Sequence, residues 1–164
     1  MNRSLCSAVI AGALAQLAGG LAAGEPTRLT HDGRQKYTPV FCNDGKQIVF
    51  VDLETPSLLR LKRLRLADSQ VEPLHPEVTT SEFEPAWARN ANVYAYAHTR
   101  GTLSVSVIIR GEEGRQAEVL PGGGFDGLRS PAVSSDGSRV LAHSDAADGS
   151  RCSLSLPREK TNAR

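Results

Sequence analysis

Proline recurs at positions 39, 85 and 131, 46 residues apart each time, and the residues that follow it align without a gap. The three segments are Pro39-Val-Phe-Cys-Asn-Asp-Gly-Lys-Gln-Ile-Val-Phe50, Pro85-Ala-Trp-Ala-Arg-Asn-Ala-Asn-Val-Tyr-Ala-Tyr96 and Pro131-Ala-Val-Ser-Ser-Asp-Gly-Ser-Arg-Val-Leu-Ala142. Phe41, Trp87 and Val133 fall in one column, Asp44, Asn90 and Asp136 in a second, and Gly45, Ala91 and Gly137 in a third. A fixed period of this length marks a chain that stacks copies of one supersecondary unit, none of which buries its apolar face alone.

Each unit reads as strands. An apolar run leads into Asp-Gly, a hairpin signal because both central residues of that turn take positive φ. A second run follows at Ile48–Phe50, Tyr94–Tyr96 and Val140–Ala142. The third run of the middle unit alternates, with Leu103, Val105, Val107 and Ile109 set against Thr102, Ser104 and Ser106. Leu58 to Leu66 is expected to be a strand too, although Leu58, Leu61 and Leu64 also fit a helical stripe. Short runs at Val71–Leu74 and Ala117–Leu120 supply fourth strands. Four short strands in a unit of roughly 40–45 residues describe a β-propeller blade, so the expected class is all-β, a partial propeller of about three four-stranded blades.

With these residues in view the chain resembles the WD40-like repeat of TolB-type propellers, whose pattern is Pro-x-Trp-Ser-Pro-Asp-Gly-Lys-x-Ile-Ala-Phe after a Leu-Thr strand. Arg28-Leu29-Thr30 matches that leading strand, and Phe83 to Trp87 matches the start of the inner strand. The chain departs from the pattern where Cys42-Asn43, Ala88-Arg89 and Ser134-Ser135 replace Ser-Pro. It departs again at Asn90-Ala91, where the alanine disfavours positive φ and implies another turn type. The repeat columns, Pro39, Phe41, Asp44, Gly45, Pro85, Trp87, Asn90, Pro131, Asp136 and Gly137, are assigned structural roles, with Phe41 and Trp87 in the core.

Residues 1–24 are expected to be a secretory signal: Arg3 precedes the apolar stretch Leu5–Ala18, and small residues follow up to Gly24. The stretch is short for a bilayer span, so no membrane span is expected in the mature chain. The blades occupy 25–156 and a polar tail 157–164. With Arg3 removed the chain has 18 basic and 18 acidic residues, so nothing in its charge recruits nucleic acid. A periplasmic or secreted location follows. Cys42 and Cys152 then remain, in no metal-ligand spacing, expected to be buried or free.

Three blades do not surround a channel, since propellers carry roughly 4–8. Two arrangements stay open. Two chains could close a six-bladed ring, each N-terminal strand completing the other's last blade, or the reading frame is truncated and further blades are missing.

No catalytic constellation emerges, and no G-x-S-x-G is present. His98 and His143 are weak metal candidates, placed on loops that open to one face; no cofactor is assigned. Gly122–Gly127 and Asp145–Gly149 read as loops, and Glu82 and Glu84 as solvated acids. The basic run Arg60, Lys62, Arg63 and Arg65 reads as an exposed outer strand that discourages edge pairing. Binding is expected where the loops joining strand four to strand one, and two to three, gather on one face. There Arg34, Lys36, Tyr37, Phe83, Phe125 and Arg129 are candidates, since aromatics and arginines anchor interfaces. The expected function is an exported scaffold for protein–protein interaction in the cell envelope. The resemblance implies envelope partners such as a peptidoglycan-associated lipoprotein, although the chain has no room for the additional N-terminal domain of TolB proteins. The alternatives are a metal-dependent lyase or hydrolase of a propeller family, or a non-functional remnant.

Overall fold

The computed structural model describes residues 25–101, 104–111, 114–121 and 127–144, together with the backbone of 151–155. The expected signal, Phe125, the two glycine- and aspartate-rich loops and the tail therefore lie outside the described residues.

Among the described residues eleven strands form three antiparallel sheets in chain order. Blade 1 is β1 (Lys36–Cys42), β2 (Gln47–Thr55), β3 (Leu58–Arg65) and β4 (Val71–Pro73). Blade 2 is β5 (Glu82–Trp87), β6 (Tyr94–Arg100), β7 (Ser104–Arg110) and β8 (Gln116–Val119). Blade 3 is β9 (Leu128–Val133), β10 (Arg139–Ser144) and β11 (Arg151–Ser155). No α-helix occurs among the described residues. The leucine-rich segment from Leu58 is a strand because β2 pairs along its length, from Gln47–Arg65 to Thr55–Leu58. Arg28–Thr30, expected to pair as a strand, is not part of any sheet, and among the described residues β11 pairs with β10 alone. Its expected partner belongs to the last blade, while the chain leads from this segment into the first.

Alternation in the strands builds a core on each side of blade 2. Cys42, Val49, Val51 and Leu61 of blade 1 pack with Phe83, Tyr96 and Ile108 of blade 2. Ala95, Val107 and Ile109, on the reverse of blade 2, pack with Leu128, Val140 and Ala142 of blade 3.

The 46-residue period is also a backbone period. Thr38, Glu84 and Ser130, each just before a repeat proline, take φ of 43°, 52° and 50°. The inner-strand ladder is irregular at the same place in every blade, between Tyr37 and Val40, between Phe83 and Ala86, and opposite Leu141 and His143. Each inner strand thus carries a bulge at the left-handed residue, which bends the strand and re-aims its side chains.

The hairpins diverge. In blade 1 Asp44 and Gly45 have φ of 52° and 76°, as the Asp-Gly signal requires. In the blade 3 hairpin Gly137 alone is left-handed, at 70°, and its N–H donates to Ser134 O at 2.9 Å. This is a turn of the ordinary hand closed by a glycine bulge. It keeps Asp136 where its carboxylate accepts from the hydroxyls of Ser134 and Ser138 and from Ser138 N–H. These bonds hold Asp136 well below the usual carboxylate range. Ala91, in the glycine column of blade 2, takes no positive φ, in keeping with a different turn there.

Two core and surface expectations are overturned. Phe41, expected in the core, is 66% exposed. Its column faces the preceding blade, and blade 1 has none among the described residues. The basic run of β3 is not an edge, since β3 lies between β2 and β4. Arg60 is buried, and Lys62, Arg63 and Arg65 pair with Asp52, Glu72 and Asp68.

Candidate functional site

Most of the charged candidates turn out to be structural. At one end of blade 1 the wholly buried Asp52 carboxylate gathers Arg34 Nη1 at 3.2 Å, Lys36 Nζ at 2.9 Å and Lys62 Nζ at 2.6 Å. Lys36 also pairs with Asp32 at 2.6 Å and lies over the Phe50 ring. Arg34 and Lys36 therefore clamp the N-terminal segment onto β2 rather than presenting free cations. Burial alone would raise the Asp52 carboxyl, but Lys62, Lys36 and Arg34 overcome it and hold the group below the usual carboxylate range.

This cage has a pH signature. The folded Asp52 carboxyl titrates below the unfolded one, so its stabilisation is present above about pH 4 and is lost as pH falls through the folded value. We expect Asp52→Asn to lower the melting temperature at neutral pH and to make the acid limb of the stability profile shallower. Thermal melts of both proteins across acidic pH check this; identical acid limbs would remove Asp52 from the account.

A second polar cluster joins blade 1 to blade 2. His75, in the interblade connection, stacks on Tyr96 with ring centroids 4.9 Å apart. Its Nδ1–H donates to Glu82 Oε1 at 2.6 Å, and its Nε2 accepts from the Tyr94 hydroxyl at 2.9 Å, the tautomer this network fits. Arg60 donates to the carbonyls of His75 and Val78 and so pins the connection to β3. Burial pushes the Tyr94 and Tyr96 phenols up, with the Glu82 charge adding to it and Arg110 opposing. Glu82, expected to be solvated, is fully buried, because the β5 bulge lies beyond it and the interblade connection covers it. His75, Glu82 and Tyr96 are buried and Tyr94 is half-buried, so the geometry suits orienting two blades.

At the same end the inner strands bring three candidates into one column, Tyr37, Phe83 and Arg129, each 46 residues from the next. Phe83 is buried in the core and is not a binding-face residue. The Arg129 guanidinium covers it, 5.3 Å from the ring centroid, and pairs with Glu84 Oε1 at 3.8 Å. Glu84 Oε2 accepts from Ser130 N–H at 2.6 Å, a bond between equivalent positions of successive blades. Tyr37 is 44% exposed, so Tyr37 and half-exposed Arg129 are what this face offers to a partner.

The two histidine candidates do not converge. Both lie on strands: His98 pairs across the ladder with Glu82, and His143 with Arg129. The residue 46 positions from His98 is Ser144, so His98 and His143 occupy successive columns and project to opposite faces of their blades. Among the described residues no group of three His, Cys, Asp or Glu side chains could hold a metal ion. Cys42 is free and buried, which pushes its thiol up.

At the opposite end of the blades an open cleft of about 670 Å³ separates the β1–β2 and β5–β6 turns, with Trp87, Arg63, Arg89, Asn43 and Asn90 on its walls. Trp87 is half-buried and stacks on Tyr94, centroids 4.0 Å apart.

The sequence carries no signal for the role of His75, and Glu82 reads there as a solvated acid. The one signal in the repeat concerns Glu82, which shares a column with Lys36, since Lys36–Asp52 and Glu82–His98 are equivalent ladder pairs.

No family model matches the sequence, and no curated protein matches it. Among solved structures, the crystal structure of TolB from Acinetobacter baumannii is similar, with a TM-score of 0.58 and 17% identity over 81% of this chain. The chain spans 32% of the length of that protein. The bladed, all-β fold is of the TolB-like propeller type.

Proposed function

We propose that this chain is an exported scaffold for protein–protein interaction in the cell envelope, periplasmic or secreted, with its binding face at the Tyr37–Arg129 end of the blades. The observation that carries this reading is that one repeat column presents an exposed aromatic, Tyr37, on the first bulged strand and a half-exposed arginine, Arg129, on the third. Residues of these types, mounted on rigid backbone, anchor protein interfaces because they bury large area at small entropic cost. The apolar N-terminal segment supports export, and the propeller fold supports a scaffold role. Among the described residues no helix is long and apolar enough to cross a membrane.

A photo-crosslinking side chain at Tyr37 tests the reading in cells. The expected result is a covalent adduct with an envelope protein in the exported fraction, and no adduct from the same probe at Asp68 in the β3–β4 turn. Retention of the chain in the cytoplasm, or equal capture at both positions, would overturn it.

A further inference from the structure

Successive blades meet through two sets of positions that recur every 46 residues. The set facing the preceding blade holds Pro85 and Trp87 in blade 2, and Pro131 and Val133 in blade 3; the prolines are buried and the larger side chains half-buried. In blade 1 the same positions are Pro39 and Phe41, and both are exposed. The set facing the following blade holds Val49 in blade 1 and Ala95 in blade 2, each 0% exposed. Its counterpart in blade 3, Leu141, is 45% exposed. Among the described residues one molecule therefore carries both halves of its repeated interface, one exposed half on blade 1 and the other on blade 3.

We propose that a second copy of this chain covers both. Blade 3 of each copy packs on blade 1 of the other, which repeats the contact blade 1 makes with blade 2, and six blades close about a two-fold axis. Closed two-fold assemblies are the commonest for identical chains, and six lies within the roughly 4–8 blades that surround a channel. The two faces are complementary because they are equivalent to faces already mated inside the molecule. Large apolar side chains at both, Phe41 and Leu141, fit burial better than solvent. The inference rests on the fold and not on the envelope-partner reading.

Sedimentation and light scattering on the purified full chain test it, with Phe41→Glu, Leu141→Lys and an equimolar mixture of the two variants. The expected results are a dimer for the parent chain and a monomer with unchanged circular dichroism for each variant. The mixture returns to a dimer, because one junction is then restored and the other pairs glutamate with lysine. A monomeric parent chain, an open-ended polymer, a dimer that survives both substitutions or a mixture that stays monomeric would each overturn the proposal. The last outcome separates this head-to-tail closure from a dimer that mates like faces. A parent monomer would leave further blades of a longer polypeptide as the occupant.

Discussion

Glu82→Ala is expected to destabilise the protein by about 1–3 kcal/mol, the range for leaving a buried hydrogen-bonding group without its partner. Glu82 is fully buried, its Oε1 accepts from His75, and the His75 ring is itself buried against Tyr94 and Tyr96. Truncation leaves the imidazole Nδ1–H without an acceptor and opens a void between the blades. Desolvation explains why this site dominates the surface ion pairs: Arg65–Asp68 is nearly half exposed on both sides, and solvent screens it. Glu82→Gln keeps an acceptor oxygen and is expected to lose less than half as much. Urea denaturation of the three proteins measures the differences. A Glu82→Ala loss below about 1 kcal/mol would mean that the cluster does not join the blades.

The second large effect is at Gly137. A Cβ there would stand 2.8 Å from Val93 Cγ2, 2.9 Å from Val93 Cβ and 3.0 Å from Ala91 Cβ, on a backbone with φ of 70°. These contacts belong to blade 2, whose Val93 N-terminal to β6 wedges under the blade 3 hairpin. Left-handed strain of about 1–2 kcal/mol adds to overpacking of about 1–3 kcal/mol, so Gly137→Ala is expected to cost about 2–5 kcal/mol. Gly45→Ala supplies the control, because Gly45 has φ of 76° and nothing within 4 Å of the added carbon. Only the strain remains there, about 1–2 kcal/mol. Equal losses at the two glycines would show that the blade 2–blade 3 contact is not formed as described.

The period of 46 residues was legible because it is written in prolines, aromatics and Asp-Gly pairs, all residues with restricted backbone or packing demands. Strand positions followed from alternation, even for the leucine-rich β3, whose helical spacing yields to pairing along the whole of β2. What the sequence did not disclose was which faces are covered. Phe41 and Trp87 occupy one column, yet burial depends on the neighbour, and only Trp87 has a preceding blade. Glu82 looked like a loop acid because no sequence pattern marks the His75 that meets it from the interblade connection, seven residues earlier. The two Asp-Gly hairpins differ for a similar reason: the serines flanking Asp136 draw its carboxylate into a local network, and Asp44 has no such neighbours. Arg34 and Lys36 passed for a binding surface because their shared acceptor, Asp52, is 16 or more residues away.

Nuclear Overhauser contacts between β5 and β9 test the central claim, three blades stacked in register at a 46-residue period. The Ser130 amide proton should contact the Glu84 side chain, and the Arg129 side chain should show the upfield shifts of a group lying over the Phe83 ring. Contacts within blades, such as Trp87 with Tyr94, observed without any between Glu84 and Ser130, would contradict the stack while leaving the individual sheets intact.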